Sequence, residues 1–314
     1  MKRLVAVDWG TTSLRGALLD EAGLVLEERA FTRGILNVAA HEFAGVFLAS
    51  FAAWMDESDT LCLVSGMAGS KLGWIEAPYC ACPAGFADIA RQLTWVQPGR
   101  IAIVPGLRCE TNGIAGAAGL ERLPDVMRGE ETQVFGALKL TGLADGLFVL
   151  PGTHSKWVQV ESGVIVRFTT YMTGEIYALL SQQSILARSL PRDEAAFDGP
   201  AFDQGVAMAL SHASLLQTVF SVRTLGLFER MPQSSLGSYL SGLVIGEELR
   251  ASAPDPADNV VLIGSDHLTG HYARALRHCE VNAQRVGTQA CWRGLWAIAR
   301  ALEAPADDPL DTIP

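Results

Sequence analysis

Short apolar runs that end in small-residue turns recur along the chain. The run Leu4–Val7 stops at Asp8, and Leu14–Leu19 follows a turn rich in glycine and threonine. A second turn, Asp20–Gly23, precedes the short run Leu24–Glu27. Apolar runs of this length, bounded by turn residues, are typical of β-strands. The pattern therefore predicts strand, Gly-Thr turn, strand, hairpin and strand.

The same order of elements returns in the second half of the chain. Leu147–Leu150 runs into a turn that contains Gly152, and Trp157–Glu161 and Val164–Val166 follow. Gly152 stands where Gly10 stands in the first half. An internal repeat of this kind implies two related domains.

The remaining pattern is that of a mixed α/β chain. Helical periodicity over Glu42–Met55 places its aromatic side chains on one face. Further strands are predicted at Leu61–Val64, Ile101–Val104 and Val260–Ile263, and further helices at Gly174–Leu190, Gly205–Phe220, Ser238–Ala251, Thr269–Arg277 and Gln289–Leu302. We predict two domains, residues 1–142 and 143–314, with the junction between Lys139 and Gly146.

Composition excludes several classes of protein. Of 314 residues, 49% are hydrophobic and 18% charged, which is too apolar for a disordered chain. The net charge of −10 lacks the basic surface of a nucleic-acid binder and disfavours anionic membranes. No signal peptide or membrane-spanning segment is evident. With six scattered cysteines and no export signal, reduced thiols and a cytoplasmic location are expected.

The turn after the first strand carries groups that suit a phosphate. Asp8 ends the apolar run, and Gly10, Thr11 and Thr12 follow it. Backbone N–H groups and hydroxyls in such a turn can bind phosphate oxygens, while the carboxylate can hold Mg²⁺ directly or through water. An ordinary hairpin with a solvated aspartate is the alternative.

The corresponding turn of the second half adds a cation. Gly152 and Thr153 are followed by Ser155 and Lys156, and Lys156 is one of only four lysines in the chain. A lysine there would neutralise charge on a phosphoryl group. The alternative is a solvated turn lysine, but two turns of this kind together favour ATP.

Longer stretches resemble a known family. Asp-x-Gly-Thr-Thr-x-x-Arg, at Asp8–Arg15, resembles the first phosphate motif of the sugar kinase, Hsp70 and actin superfamily, and Gly152-Thr153 resembles its second. The more specific stretches resemble the 2-dehydro-3-deoxygalactonokinase family: Gly34–Asn37, Ser65–Ser70, Gly73–Tyr79, Met127–Gln133, Leu150–Trp157 and Tyr171–Glu175. The resemblance runs from Leu4 to about Arg300.

This resemblance implies an α/β fold of two related ribonuclease H-like domains, of the actin-like ATPase type, with an interdomain cleft. It implies Mg²⁺ and ATP as cofactors, with Arg15 in the first phosphate motif. It also implies transfer of phosphate from ATP to the 6-hydroxyl of 2-dehydro-3-deoxy-D-galactonate in galactonate catabolism. Val260–Asp266 resembles the adenosine motif, so Gly264 and Ser265 are expected at the nucleotide, although the usual second glycine is absent.

The catalytic base departs from the superfamily pattern. Related carbohydrate kinases carry an aspartate on a helix before the second phosphate turn, and this chain has Glu131 at that spacing, with Glu130 beside it. Neighbouring helical residues point to different faces, so only one of the pair can face the hydroxyl. We expect Glu131 to be the base; the alternative is that both glutamates are solvated and that Arg128 pairs with one.

A sugar acid needs a fixed cation for its carboxylate. Arg108 and Lys71 are the candidates, and each is otherwise a solvated side chain. Asn37 could bind hydroxyls, and Trp74 could cover the sugar or belong to the core.

Two rival functions stay open from the sequence alone. One is a kinase of a neutral ketose or polyol, and the other is a nucleotide-switched interaction protein of the actin or Hsp70 type. The expected partners are a small sugar acid and ATP, without nucleic acid or membrane. A homodimer is left open as the assembly.

Overall fold

The computed structural model describes residues 1–56, 59–112, 122–191, 193, 195–211 and 214–303. Its strands are β1 Arg3–Trp9, β2 Leu14–Leu19, β3 Val25–Phe31, β4 Thr60–Ser65, β5 Tyr79–Ala81, β6 Thr94–Gln97, β7 Ile101–Ile103, β8 Gly106–Asn112, β9 Arg122–Met127, β10 Gly146–Leu150, β11 Ser155–Glu161, β12 Val164–Tyr171, β13 Val260–Ile263 and β14 Ala283–Val286. Its α-helices are α1 Phe43–Phe51, α2 Phe86–Arg91, α3 Glu130–Thr141, α4 Thr173–Gln183, α5 Gly199–Ser211, α6 Leu215–Thr218, α7 Ser221–Leu227, α8 Gln233–Ser252, α9 Asp266–Leu276 and α10 Ala290–Glu303.

Five strands follow the same order in the two larger sheets, which confirms the predicted repeat. One sheet runs β3-β2-β1-β4-β7-β6 and the other β12-β11-β10-β13-β14. In each, a central strand pairs in parallel with a later one, β1 with β4 and β10 with β13, and β1 also pairs antiparallel with β2. A third sheet, β5-β8-β9, was not predicted.

By the density of their internal contacts, the described residues form two compact units. The first combines Met1–Gly146, Val158–Thr169 and the described part of Val286–Pro314. The second combines Leu147–Trp157 and Thr170–Arg285. Neither unit is continuous in sequence. The domain division at 142/143 stays a prediction.

The core of the first unit lies where β1 packs against α1. Val5, Val7 and Trp9 alternate along β1, and they meet Phe43 and Phe47 of α1 in one buried cluster. These side chains are all apolar. Alternate residues of the strand and residues one helical turn apart therefore pack against each other. This packing holds the end of β1 in place, and the first phosphate turn begins there.

Helices α3 and α10 of the first unit cross at unusually short range. A Cβ at Gly136 would stand 1.7 Å from the carbonyl oxygen of Ala290, and one at Gly294 would stand 1.7 Å from that of Thr132. Only glycine allows two helix backbones to approach so closely. The crossing carries the beginning of α10 to the start of α3.

The second unit has a helical core around α8. Leu236, Leu240 and Leu243 of α8 are fully buried against α5 and α7. The predicted helix Gly205–Phe220 is wrong as a single element, because α5 ends at Ser211 and a separate α6 begins at Leu215. Ser214 is extended there, with φ −147° and ψ 119°, which breaks the helix. Among the described residues, no helix is long and apolar enough to cross a membrane.

Candidate active site

In the first unit, the carboxyl ends of parallel strands bring three chain segments together. β1 and β4 run in parallel, so Asp8 stands beside Ser65. A Cβ at Gly66 would come within 3.3 Å of Asp8 Oδ1, and one at Gly129 within 3.2 Å of the Cα of Gly66. This edge is where α/β proteins usually bind ligands. We call the place where the segments at Asp8, Gly66 and Gly129 meet the acidic corner.

Asp8 is held by an ion pair with Arg15. The two residues face each other across the β1–β2 ladder, and Arg15 Nη2 donates to Asp8 Oδ2 at 2.5 Å. The carboxylate side chain is 16% exposed. Burial of Arg15 disfavours its charge, but the Asp8 carboxylate, together with the nearby Cys291 and Glu28, raises the pKa of Arg15 above its ordinary value. Arg15 therefore orients Asp8, which leaves Asp8 Oδ1 for other partners.

The first phosphate turn is closed by backbone hydrogen bonds and exposes its hydroxyls. Gly10 N donates to the carbonyl of Ser13 at 2.9 Å, and both Thr11 and Thr12 are exposed. Ile35 N donates to the Gly10 carbonyl at 3.0 Å, so the following segment lies directly against the turn. Asn37 lies at the end of that segment and is exposed. Asn37 therefore follows directly on two residues, Ile35 and Leu36, that are hydrogen-bonded to the first phosphate turn.

Glu131 and Glu130 open helix α3, as predicted, but in different environments. Glu131 is fully buried, and Gly129 N donates to both of its carboxylate oxygens, at 2.9 and 2.7 Å. Glu130 is half-buried and accepts from Arg128 N at 3.0 Å. Burial, followed by the neighbouring charge of Glu130, raises the pKa of Glu131 to about 8. Such a carboxyl exchanges its proton near neutral pH, as a general base must.

Cys291 shows that the groups of the acidic corner share one electrostatic neighbourhood. Burial raises the pKa of its thiol well above the ordinary value, and the charges of Asp8, Arg15 and Glu131 all act on it. Its sulfur lies 3.9 Å from Thr132 Oγ1, which also contacts Ser65 Oγ at 3.0 Å. The crossing of α10 over α3 is what brings Cys291 to this position.

Arg128 is a candidate for tuning the ionisation of Glu131, whereas the sequence indicated it only as a possible ion-pair partner of one glutamate. It is 9% exposed, donates from Nη2 to the Ala77 carbonyl at 2.8 Å, and lies 4.3 Å above the ring of Tyr79. Its Nε and Nη1 are buried and have no hydrogen-bond partner among the described residues. Its charge favours ionisation of Glu131, against the effect of burial. The signal was its position immediately before Gly129 and the glutamate pair.

The predicted sugar-binding residues lie in three different settings. Lys71 is exposed in the turn after β4, and Arg108 is exposed on β8, opposite Val126 of β9. Trp74 is half-buried and packs edge-on to Trp9, with ring centroids 6.0 Å apart. Trp74 therefore belongs at least partly to the core. Arg108 lies on the third sheet, and the structure does not bring it into contact with the acidic corner.

The second unit holds the other phosphate turn against the start of α4. A Cβ at Gly174 would stand 2.4 Å from the carbonyl oxygen of Gly152, so the helix end lies flat on the turn. Glu175 N donates to the Thr153 carbonyl at 3.0 Å, and Glu175 Oε2 lies 2.6 Å from His154 Nε2. Thr153 is exposed. The turn therefore has a fixed backbone and an accessible hydroxyl.

Ser155 and Lys156 have buried side chains that are hydrogen-bonded within the second unit. Ser155 is fully buried and donates its hydroxyl hydrogen to Glu248 at 2.6 Å. Lys156 is 6% exposed and donates to Thr170 Oγ1 at 2.7 Å. A contact from Ser155 to a phosphate would come from its backbone N–H.

Gly264 and Ser265 follow β13, which pairs in parallel with β10. Gly264 has a φ of +148°, and a Cβ there would lie 4.0 Å from the carbonyl oxygen of Pro151. Ser265 is exposed at the start of α9. The predicted adenosine turn and the second phosphate turn are therefore neighbours at the same edge of the second unit.

Comparison with known proteins decides the family. The model of the family described as 2-keto-3-deoxy-galactonokinase matches residues 8–298. The chain belongs to this family. The 2-dehydro-3-deoxygalactonokinase of Escherichia coli K12 is 36% identical over 304 residues, which cover 96% of this chain and 98% of that protein. The similarity thus spans both phosphate turns and the acidic corner.

Solved structures agree with the membership of this galactonokinase family. The crystal structure of a candidate 2-dehydro-3-deoxygalactonokinase from Sinorhizobium meliloti is 34% identical, covers 95% of this chain and 99% of that chain, and superimposes with a TM-score of 0.85. The (R)-2-hydroxyglutaryl-CoA dehydratase component A of Acidaminococcus fermentans shares the fold alone, with 11% identity, coverage of 97% and 98%, and a TM-score of 0.53. The fold is the two-domain α/β fold of the actin-like ATPases and sugar kinases, as predicted.

Proposed function

We propose that this chain transfers the γ-phosphoryl group of ATP to the 6-hydroxyl of 2-dehydro-3-deoxygalactonate. Membership of the 2-keto-3-deoxy-galactonokinase family supports the kinase reaction and the class of acceptor, and it does not favour a neutral-sugar kinase or an interaction protein. The observation that carries the chemistry is the buried carboxyl of Glu131, with a pKa of about 8, in the acidic corner with Asp8. The 6-position and a cytoplasmic place in galactonate breakdown are further parts of the proposal.

Glu131 acts as the base in this proposal. It accepts the proton of the attacking hydroxyl while the new bond from oxygen to phosphorus forms and the bond to ADP breaks. The amide of Gly129 holds the carboxylate through both oxygens, which limits its rotation. Half-buried Glu130 is the alternative base, so both glutamates need to be tested.

Asp8 and the two turns suit Mg²⁺ and the phosphates of ATP. Among the described residues, no group of three or more His, Cys, Asp or Glu side chains could hold a metal alone. One carboxylate fits Mg²⁺, which keeps several waters and is shared with phosphate oxygens. Bound there, Mg²⁺ would neutralise charge on the phosphates. Arg15 orients Asp8, and Gly10 closes the first turn, because its amide is bonded to the Ser13 carbonyl. The proposed donors to phosphate oxygens are Thr11 and Thr12 in the first unit and Gly152 and Thr153 in the second.

The carboxylate of the sugar acid distinguishes this substrate from a neutral ketose. Lys71 and Arg108 stay proposed partners, and both are accessible. Asn37 is proposed for the hydroxyls because its segment is hydrogen-bonded to the first phosphate turn. A homodimer stays a prediction.

The reaction is tested by measuring ADP release with a coupled assay over 2-keto-3-deoxy sugar acids and neutral ketoses. The coupling of phosphorus to carbon in the NMR spectrum of the product identifies the phosphorylated carbon. We expect turnover with 2-dehydro-3-deoxygalactonate, a phosphate on carbon 6, and little activity with neutral sugars. If none of the sugar acids causes ADP release, the proposal is overturned. Turnover of neutral ketoses alone would identify the rival kinase.

A further inference from the structure

Glu248 is a buried carboxylate on α8 that collects four hydrogen bonds. Oε1 accepts from Ser155 Oγ at 2.6 Å and from Trp157 Nε1 at 2.5 Å. Oε2 accepts from Tyr272 Oη at 2.6 Å and from the hydroxyl of Thr173. The side chain is 2% exposed, and all four donors are uncharged. A buried carboxylate satisfied in this way is a rigid point in the structure, because losing it strands four buried donors.

The four donors come from the elements that surround the proposed nucleotide site of the second unit. Ser155 follows the second phosphate turn directly and opens β11. Thr173 opens α4, whose Gly174 lies on the Gly152 carbonyl. Tyr272 lies on α9, the helix that begins after the adenosine turn. One carboxylate thus connects the phosphate turn, the helix end that supports it and the helix after the adenosine turn.

Glu248 has no free acceptor position for a ligand. Each of its two oxygens already accepts two hydrogen bonds from protein donors. Burial and the charge of Glu248 raise the pKa of Tyr272 well above its ordinary value, so Tyr272 stays a protonated donor. A role in ATP binding must therefore run through the residues that it holds.

We propose that Glu248 is a positioning residue for ATP, which sets the backbone of the second phosphate turn relative to the adenosine turn. This inference rests on the proposed kinase function, since ATP is its ligand. Replacing the carboxylate by an amide keeps the volume but turns two acceptors into one acceptor and one NH₂ donor. That donor would face existing donors, so the elements around it would have to shift.

The test compares Glu248→Gln with Glu247→Gln. Glu247 is the preceding residue, is paired with Arg250 and is partly exposed, so its variant controls for a change of charge on the same helix. Binding of a non-hydrolysable ATP analogue is measured by calorimetry without sugar, and KM is measured for ATP and for the sugar acid. For Glu248→Gln we expect analogue affinity to fall and KM for ATP to rise by about tenfold or more, with KM for the sugar acid changed less than about twofold. Glu247→Gln should match the wild type in all three.

Two further results complete the test. If Glu248→Gln does not fold by circular dichroism, Thr173→Val and Tyr272→Phe each remove one of the four bonds and should raise KM for ATP selectively. Unchanged analogue binding in folded Glu248→Gln, or an equal loss of sugar-acid affinity, would overturn the inference. If the wild type binds the analogue but phosphorylates no sugar acid, the kinase proposal fails, and the calorimetric comparison still decides the role of Glu248.

Discussion

The amide of Gly129 donates to both carboxylate oxygens of Glu131, at 2.9 and 2.7 Å, within a fully buried site. A hydrogen bond from an N–H group favours the ionised carboxylate, but burial and the neighbouring Glu130 outweigh it and raise the pKa to about 8. The bond therefore fixes the carboxyl in place without removing its readiness to take a proton. This combination sets the first prediction.

The activity should depend on ionisation of Glu131. Because the base must be deprotonated, kcat/KM should rise with pH up to about 8 and level off above it. Glu131→Gln should lower kcat by about 10²–10⁴-fold and abolish this limb, while leaving the KM for ATP nearly unchanged. Glu130→Gln is the matched comparison. A larger loss of kcat in Glu130→Gln than in Glu131→Gln would assign the base to Glu130 instead.

The same carboxyl should make folding stability depend on pH. Its pKa is raised from 4.5 in the unfolded chain to about 8 in the folded protein. Its contribution to stability is thus fully present below pH 4.5 and is lost as pH rises to 8, because only the unfolded state releases the proton. Glu131→Gln has no such proton. Urea unfolding should show this variant gaining roughly 2–5 kcal/mol on the wild type between acid and alkaline pH. A difference that stays constant with pH would contradict the assignment.

Loss of the Arg128 charge should shift the pH profile. That charge lowers the pKa of Glu131, so Arg128→Met should move the acidic limb of kcat/KM to higher pH, by up to about one unit. Arg91→Met removes an exposed arginine paired with Asp88 in the same unit and should leave the limb in place. A limb that moves to lower pH in Arg128→Met would refute this prediction.

Gly174→Ala should disturb the second phosphate turn. The new Cβ would stand 2.4 Å from the Gly152 carbonyl oxygen, so the turn or the end of α4 has to move. KM for ATP should rise at least about tenfold, and the melting temperature should fall. Gly237→Ala is the control in the same unit, because its Cβ would meet only Tyr177 Oη, at 3.9 Å. That variant should keep its KM and gain up to about 1 kcal/mol from helix propensity. Equal effects of the two variants would be inconsistent with a tight turn.

Gly136→Ala should open the crossing of α3 and α10. Its Cβ would overlap the Ala290 carbonyl oxygen at 1.7 Å, which side-chain movement cannot relieve. We expect a loss of at least about 3 kcal/mol in the free energy of unfolding. Gly45→Ala, on α1, meets nothing within 4 Å and should be neutral or slightly stabilising. Denaturation midpoints of the two variants give the comparison, and a neutral Gly136→Ala would show that the helices lie further apart.

The sequence predicted the elements whose apolar runs are bounded by turns. Leu14–Leu19 and Val260–Ile263 were correct to the residue. The strand β8 was missed because Leu107 and Cys109 are two apolar positions in seven, which is too short an alternation to predict a strand. The break between α5 and α6 was missed because apolar periodicity does not reveal the extended backbone of Ser214.

The site was predictable where it depends on a strand end and a turn, as at Asp8 and Gly152. Burial could not be predicted from local pattern, and the side chains of Ser155 and Lys156 prove to be hydrogen-bonded within the second unit. Their contact with the nucleotide stays a prediction. Glu248 did leave a signal that was overlooked. It stands four residues after Val244 and eight after Leu240, on the buried stripe of α8.

The crossing at Gly136 and Gly294 also bears on how the chain is made. Helix α3 carries the proposed base and is synthesised before the midpoint of the chain, but its packing partner α10 begins at Ala290. Domains generally fold as they leave the ribosome, amino-terminal parts first. Here the first unit has to wait for nearly the last segment, while the second unit, which ends at Arg285, is already complete. The unit that holds the proposed base would therefore mature last, and an interrupted translation product would not assemble Glu131 and its surroundings.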